Sequence, residues 1–290
     1  MLRLLLVALA LAIPAVARAE CSPQLLYSVV AETDDDGMWY VPLVINGHQV
    51  KAGICTNCAW SILGEAFVNR AGIRKRKAKV RYVAADGGRI DYLAEPESTK
   101  LGEMSLKDNF LVHAGGGDFA VFGLNLLEYF DFEIDGGSNR VSFYMHSRCG
   151  RPSAAWLRNA VELPFNERDE RINAVVDIGG KMLEAGLSTG DRHTTMDLAL
   201  AQHQFGVTPA SPGVRRTGST RFSQGGKVFD VYEYTLPEMT ISGLRFKNVP
   251  VQMIGLTGLG INLGLHELKS LRFFVAFAQK RIYAAEADAH

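Results

Sequence analysis

The chain has 290 residues, 47% of them hydrophobic, enough to bury a core in one large domain or two of ordinary size. Its 31 Lys and Arg balance its 31 Asp and Glu. Zero net charge removes the electrostatic case for nucleic acid or an anionic membrane as partner. The one basic run, Arg74-Lys75-Arg76-Lys77-Ala78-Lys79, has no aromatic stacking pattern around it and reads as a solvated loop or helix end.

Residues 1–19 read as a cleavable signal peptide. Arg3 supplies the positive start, Leu4 to Val16 is an apolar run too short for a comfortable span, and Ala17-Arg18-Ala19 fits the small-x-small cleavage rule, so the mature chain would begin at Glu20. Arg18-Ala19-Glu20 is wrong for a lipoprotein site at Cys21. No later stretch is long and apolar enough to cross a bilayer, so the expectation is a periplasmic or secreted protein with no stable membrane insertion. In such a compartment the four cysteines suggest disulfides, in any of three connectivities. The preferred pairing is Cys21–Cys149 with Cys55–Cys58.

An internal repeat organises the rest. Ala52-Gly53-Ile54-Cys55-Thr56-Asn57 matches Ala185-Gly186-Leu187-Ser188-Thr189-Gly190. Ile45-Asn46-Gly47 matches Ile178-Gly179-Gly180, Gly72-Ile73 answers Gly206-Val207, and Gly87-Gly88 answers Gly225-Gly226. Gly123-Leu124-Asn125-Leu126 answers Gly260-Ile261-Asn262-Leu263. These ordered matches describe a duplicated unit of over a hundred residues. Within the first unit, Tyr40–Ile45 and Gln49–Ile54 form a hairpin around Asn46-Gly47-His48. Ser61–Arg70 has helical spacing with Ser61 as N-cap. Val80–Val83 and Arg89–Leu93 make a second hairpin, and strands follow at Phe110–His113, Phe119–Phe122 and Val141–Tyr144. The second unit repeats the order, with a helix at Thr195–Gln204 and late strands at Val249–Met253 and Phe273–Phe277. The expected organisation is a first lobe over 20–147, a connector over 148–162 and a second lobe over 163–290.

These motifs resemble the retropepsin-like aspartic peptidases of the duplicated, exported bacterial type, over Tyr40 to Tyr283. The resemblance implies an all-β fold of two pseudo-symmetric lobes around a cleft. Each lobe would carry an apolar strand ending in Asp-Thr/Ser-Gly-Ala, a flap hairpin, and an apolar-apolar-Gly element. The last look like Val121-Phe122-Gly123 and, less cleanly, Leu259-Gly260; the flaps look like the hairpins at Gly87 and Gly225. The departure is at the chemistry: the two loops read Cys55-Thr56-Asn57-Cys58 and Ser188-Thr189-Gly190-Asp191. The family's reaction needs two carboxylates sharing a proton, one as base and one as acid. Cys55 and Ser188 stand where those carboxylates would be, and neither group reproduces the pair. Thr56 and Thr189 keep the position whose hydroxyl, in the family, binds the two loops together.

The expectation is therefore an aspartic-peptidase-like protein without peptidase activity, binding a peptide, protein or other ligand in a cleft lined by Thr56, Asn57, Thr189, Gly190, Gly87 and Gly225, with no cofactor. Asp191 reads as a loop or helix N-cap residue and Asp177 as a turn-proximal surface residue. His193, five residues from Ser188, does not by adjacency make a triad, and the histidines show no metal-ligand spacing. Two alternatives stay open. One is an active aspartic endopeptidase whose acids lie elsewhere. The other is a thiol redox or metal-handling protein using Cys55 and Cys58, although two cysteines are too few for a closed zinc site and a local disulfide is the simpler reading of the pair.

Overall fold

Antiparallel hairpins build most of this molecule. The structure is a computed structural model describing residues 22–84, 87–146, 155–164, 171–221 and 226–287. Strand makes up 53% and helix 11%, so the chain is nearly all-β, with several sheets. The expected signal segment, Cys21, Cys149, Gly225 and the connector residues 148–154 lie outside the described residues.

The first hairpin pairs Trp39–Ile45 with His48–Ile54. Its turn, Asn46-Gly47, takes positive φ at both residues (49° and 80°), the geometry that makes Asn-Gly a two-residue hairpin signal. Alternation fixes its faces: Trp39, Val41, Leu43 and Ile45 are all fully buried.

Both predicted helices start later than the spacing suggests. Ile62–Gly64 is a strand, parallel to Phe110–His113, and the helix is Glu65–Arg70. Ser61 is not its cap; Ser61 Oγ accepts from Gly123 N at 2.9 Å. Likewise Thr194–Asp197 is a strand parallel to Leu244–Ile254. The helix there is Leu198–Phe205, capped by Asp197, whose Oδ1 accepts from Ala199 N at 2.9 Å, and ended by Gly206 at φ 69°. In each case a neighbouring strand offers the backbone a ladder, and that pairing overrides local helical spacing.

The basic run is also corrected. It belongs to the strand Arg74–Val83, antiparallel to Arg89–Glu95. Arg74 and Arg76 pair with Glu95 across that ladder, and Lys75 Nζ lies 2.9 Å from Glu65. Cross-strand carboxylates let a charged run sit at a sheet edge, where it also discourages pairing with another chain.

Three sheets result. One gathers strands between Glu32 and Phe122. A second gathers strands between Asn173 and Leu263 and closes on itself where Asp177 pairs with Thr240. The third runs Leu25–Val30, Arg140–Tyr144, Asp131–Asp135, Leu271–Ala276, Arg281–Glu286 and Val161–Pro164, so it joins early and late parts of the chain through Phe132↔Val275. Its core side includes Phe132, Phe143 and Phe273, and Arg272 Nη2 reaches Glu133 at 2.6 Å across the junction. Among the described residues no helix is long and apolar enough to cross a membrane.

Candidate binding cleft

Two loops meet at the centre, and each is aimed by the same set of backbone bonds. The strand His48–Ile54 runs parallel to Ala120–Phe122, and Cys55 N donates to Phe122 O at 3.0 Å. The strand Lys181–Leu187 runs parallel to Ile261–Leu263, and Ser188 N donates to Leu263 O at 2.8 Å. A short helix then opens beside each loop. Leu124 N donates to Cys58 O and Leu265 N to Asp191 O, both at 2.8 Å. The glycine before each helix is sterically required: a Cβ on Gly123 would lie 2.5 Å from the Trp60 carbonyl carbon, and one on Gly264 would lie 2.3 Å from that of His193. Each also donates to a hydroxyl, Gly123 to Ser61 and Gly264 to Thr194 at 3.1 Å. The counterpart of Val121-Phe122-Gly123 is therefore Asn262-Leu263-Gly264, not Leu259-Gly260. Matching Asn125 to Asn262 by identity misled the sequence comparison, because close backbone approach, rather than side-chain likeness, defines the position.

The loops grip each other reciprocally. Thr56 N donates to Thr189 Oγ1 at 3.0 Å and Thr189 N donates to Thr56 Oγ1 at 3.1 Å. Each hydroxyl passes its own proton to the strand opposite: Thr189 Oγ1 to Ile54 O at 2.6 Å, Thr56 Oγ1 to Leu187 O. Both threonines are fully buried. Cys55 and Cys58 form a disulfide with Cα atoms 5.3 Å apart. Gly190 packs against it closely, since a Cβ there would lie 2.7 Å from Cys55 Sγ.

Ser188 Oγ donates to Asp191 Oδ2 at 2.8 Å. Asp191 also takes a bond from the Asn57 side chain and feels the charge of Arg171. Removal of the carboxyl from water outweighs these and holds its pKa above the ordinary carboxylate value. Asp191 thus lies in a loop, as one of the two expected readings had it, and caps no helix; it borders the cleft with its carboxyl enclosed by protein. Asp177 does sit in a turn, its Oδ1 accepting from Gly180 N at 2.8 Å. His193 takes no part in the Ser188 bond.

Above the loops lies a cleft of about 520 Å³. Cys55, Asn57, Ser188, Gly190 and Asp191 line its floor. Trp60, Ile62, Leu111, Ile254, Leu256 and Leu259 supply apolar walls, and Val83, Ala84 and Ile90 come from the first predicted flap hairpin. Gly87, at the tip of that hairpin, does not line the cleft. Thr56 and Thr189 lie beneath its floor. Sequence reasoning missed Trp60 and Arg171. Trp60 follows the first loop by two residues and could have been included on proximity; Arg171 carries no repeat or motif signal.

The floor offers one carboxyl, one hydroxyl, one carboxamide and a disulfide, with Arg171 alongside. Among the described residues, Asp191 is the one acid lining this cleft, whereas acid–base hydrolysis of the expected kind uses two, one to activate water and one to protonate the carbonyl. Among the described residues no three His, Cys, Asp or Glu side chains are grouped to hold a metal ion. No protein-family model and no curated protein matches this chain.

Proposed function

We propose that this chain is an exported, two-lobed protein of aspartic-peptidase-like architecture that has no peptidase activity and binds a peptide in its central cleft. One observation carries the reading: Thr56 and Thr189 bind two loops face to face, while the positions one residue before them hold a disulfide-bonded Cys55 and a Ser188. Two further features support it. The backbone bonds that fix one loop recur at the other, as a duplicated unit would require. The cleft above is mostly apolar with a few convergent polar groups, the usual character of a small-ligand or peptide site.

The test is direct. The purified mature protein is incubated with mixed peptides from acid to neutral pH, and binding is followed by the intrinsic tryptophan fluorescence, with Trp60→Phe identifying the share that comes from the cleft. Saturable quenching without cleavage is expected. Cleavage abolished by Asp191→Asn would overturn the reading in favour of an acid-dependent hydrolase. The thiol-redox alternative would be favoured if a mild thiol buffer rapidly opened the Cys55–Cys58 bond in the folded protein.

A further inference from the structure

The floor of the cleft holds an acceptor with nothing to accept. Asn57 Oδ1 is enclosed and has no hydrogen-bond partner, while its amide nitrogen is committed to Asp191. A buried acceptor left empty costs about 1–3 kcal/mol, so its persistence at a cleft floor points to a donor supplied from outside. Its neighbours are acceptors too. Ser188 Oγ gives its proton to Asp191 and so turns lone pairs towards the cleft, and Asp191 is a carboxyl.

The surroundings carry the same sign. Beyond Ala59, Trp60 and Arg171 the cleft adjoins a second pocket of about 370 Å³ bordered by Asp108 and Glu128. Among the described residues, three carboxyl side chains and one guanidinium border the two pockets. The indole of Trp60 stands on the shared rim, held edge-on to Tyr82 with ring centroids 5.3 Å apart. An aromatic face at the rim favours a passing cation.

We infer that the cleft recognises a lysine side chain of a bound peptide, seating its ammonium on Asn57 Oδ1, Ser188 Oγ and Asp191 with apolar flanking residues against Trp60, Ile62, Leu111 and Leu256. An ammonium brings three donors and no acceptor, which matches a floor of acceptors. A guanidinium needs a flat fork of acceptors and is wider. The four-carbon stem of lysine can lie along the apolar wall while its head reaches the floor. Enclosure raises the pKa of Asp191, and a cation placed beside it lowers that pKa again, so binding and ionisation of this group reinforce each other. This inference rests on the peptide-binding reading above and adds the chemistry of the side chain selected.

The experiment compares two end-capped pentapeptides, leucine and phenylalanine on either side of a central lysine in one and of norleucine in the other, by calorimetry on the mature protein. The lysine peptide should bind at least about tenfold tighter, the size of a charge-assisted hydrogen bond, and added salt should erode the difference. Asn57→Ala and Asp191→Asn should each shrink the preference to about threefold or less. Asn57→Ala removes the unpaired oxygen together with one bond to Asp191, and Asp191→Asn keeps an oxygen for Ser188, so thermal melts of both variants should show the fold intact. Equal affinities for the two peptides, or a lysine preference unchanged in both variants, would overturn the inference while leaving peptide binding standing. Binding of neither peptide would sink the peptide-binding reading together with it.

Discussion

Replacing Thr189 by Val keeps the shape of the side chain and removes its hydroxyl. Two buried backbone groups then lose their partners: Thr56 N, which donates to Thr189 Oγ1 at 3.0 Å, and Ile54 O, which accepts from it at 2.6 Å. Each orphaned group costs about 1–3 kcal/mol, so the substitution should cost about 2–6 kcal/mol. Thr56→Val should cost a similar amount, because it orphans Thr189 N and Leu187 O. The two sets of bonds share only the 3.4 Å contact between the hydroxyls. Counting bonds alone therefore predicts additivity. Both sets nevertheless hold the same two loops, and once the loops have separated the second substitution has less to break. The double variant should fall short of the sum by at least about 0.5 kcal/mol, which a double-mutant cycle from urea unfolding resolves. A cost under about 0.5 kcal/mol for either single variant would refute the idea that this grip fixes the loops. Exact additivity would show instead that the loops are held by their own strands.

Opening the short loop closed by the disulfide, with Cys55→Ala and Cys58→Ala together, should cost about 2 kcal/mol by loop-closure entropy, and a melt with and without reductant should show the parent losing the same increment. Asp191 has a folded pKa raised by burial above its ordinary 3.8. Its protonated form therefore contributes stability below the unfolded value, and that contribution is lost as pH rises through the folded one. Asp191→Asn should remove this slope, so the variant gains on the parent from acid to neutral pH; a gain in the opposite direction would show that Arg171 outweighs burial. Tyr144 is pushed up to about 12, first by burial and then by the charge of Glu133, whose Oε2 accepts from its hydroxyl at 3.1 Å. The stability this tyrosine contributes is present below its unfolded value of about 10 and is lost between there and about 12. Glu133→Gln should lower the tyrosinate midpoint, seen by ultraviolet absorbance.

What was legible in the sequence was whatever depends on local rules. The Asn46-Gly47 turn, the two strands it joins and the late strands follow from backbone geometry and burial, and they appear close to where expected. The match of Cys55-Thr56 to Ser188-Thr189 pointed to two loops that do meet, because each ends a strand whose parallel neighbour is set by the repeated order. The starts of the helices were misjudged because Ile62 and Thr195 belong to parallel ladders whose partners lie dozens of residues away. The place of Asp191 was hidden for the same reason: a carboxyl three residues past a loop serine looks like a cap until the opposing Asn57 is brought to it. Arg171 has no local signature at all, since only the convergence of separate segments puts it beside the cleft.

The centre of this molecule separates scaffolding from chemistry. Every bond of the threonine grip is between a hydroxyl and a backbone group, or between two hydroxyls, and none involves a charge. Such bonds act whatever occupies the neighbouring positions, so a sulfur at Cys55 and a hydroxyl at Ser188 leave the meeting of the loops intact. Two ionised carboxyls at that junction would repel and lose hydration together; here a single one, Asp191, bears the desolvation and shares it with Ser188, Asn57 and Arg171. A lone enclosed acid is a poor hydrolytic centre and a good recognition group, because its free energy falls when a ligand brings the missing positive charge or donor. The unpaired Asn57 oxygen and the enclosed Asp191 thus put acceptors at the floor of the cleft, which is the basis of the selectivity proposed for it.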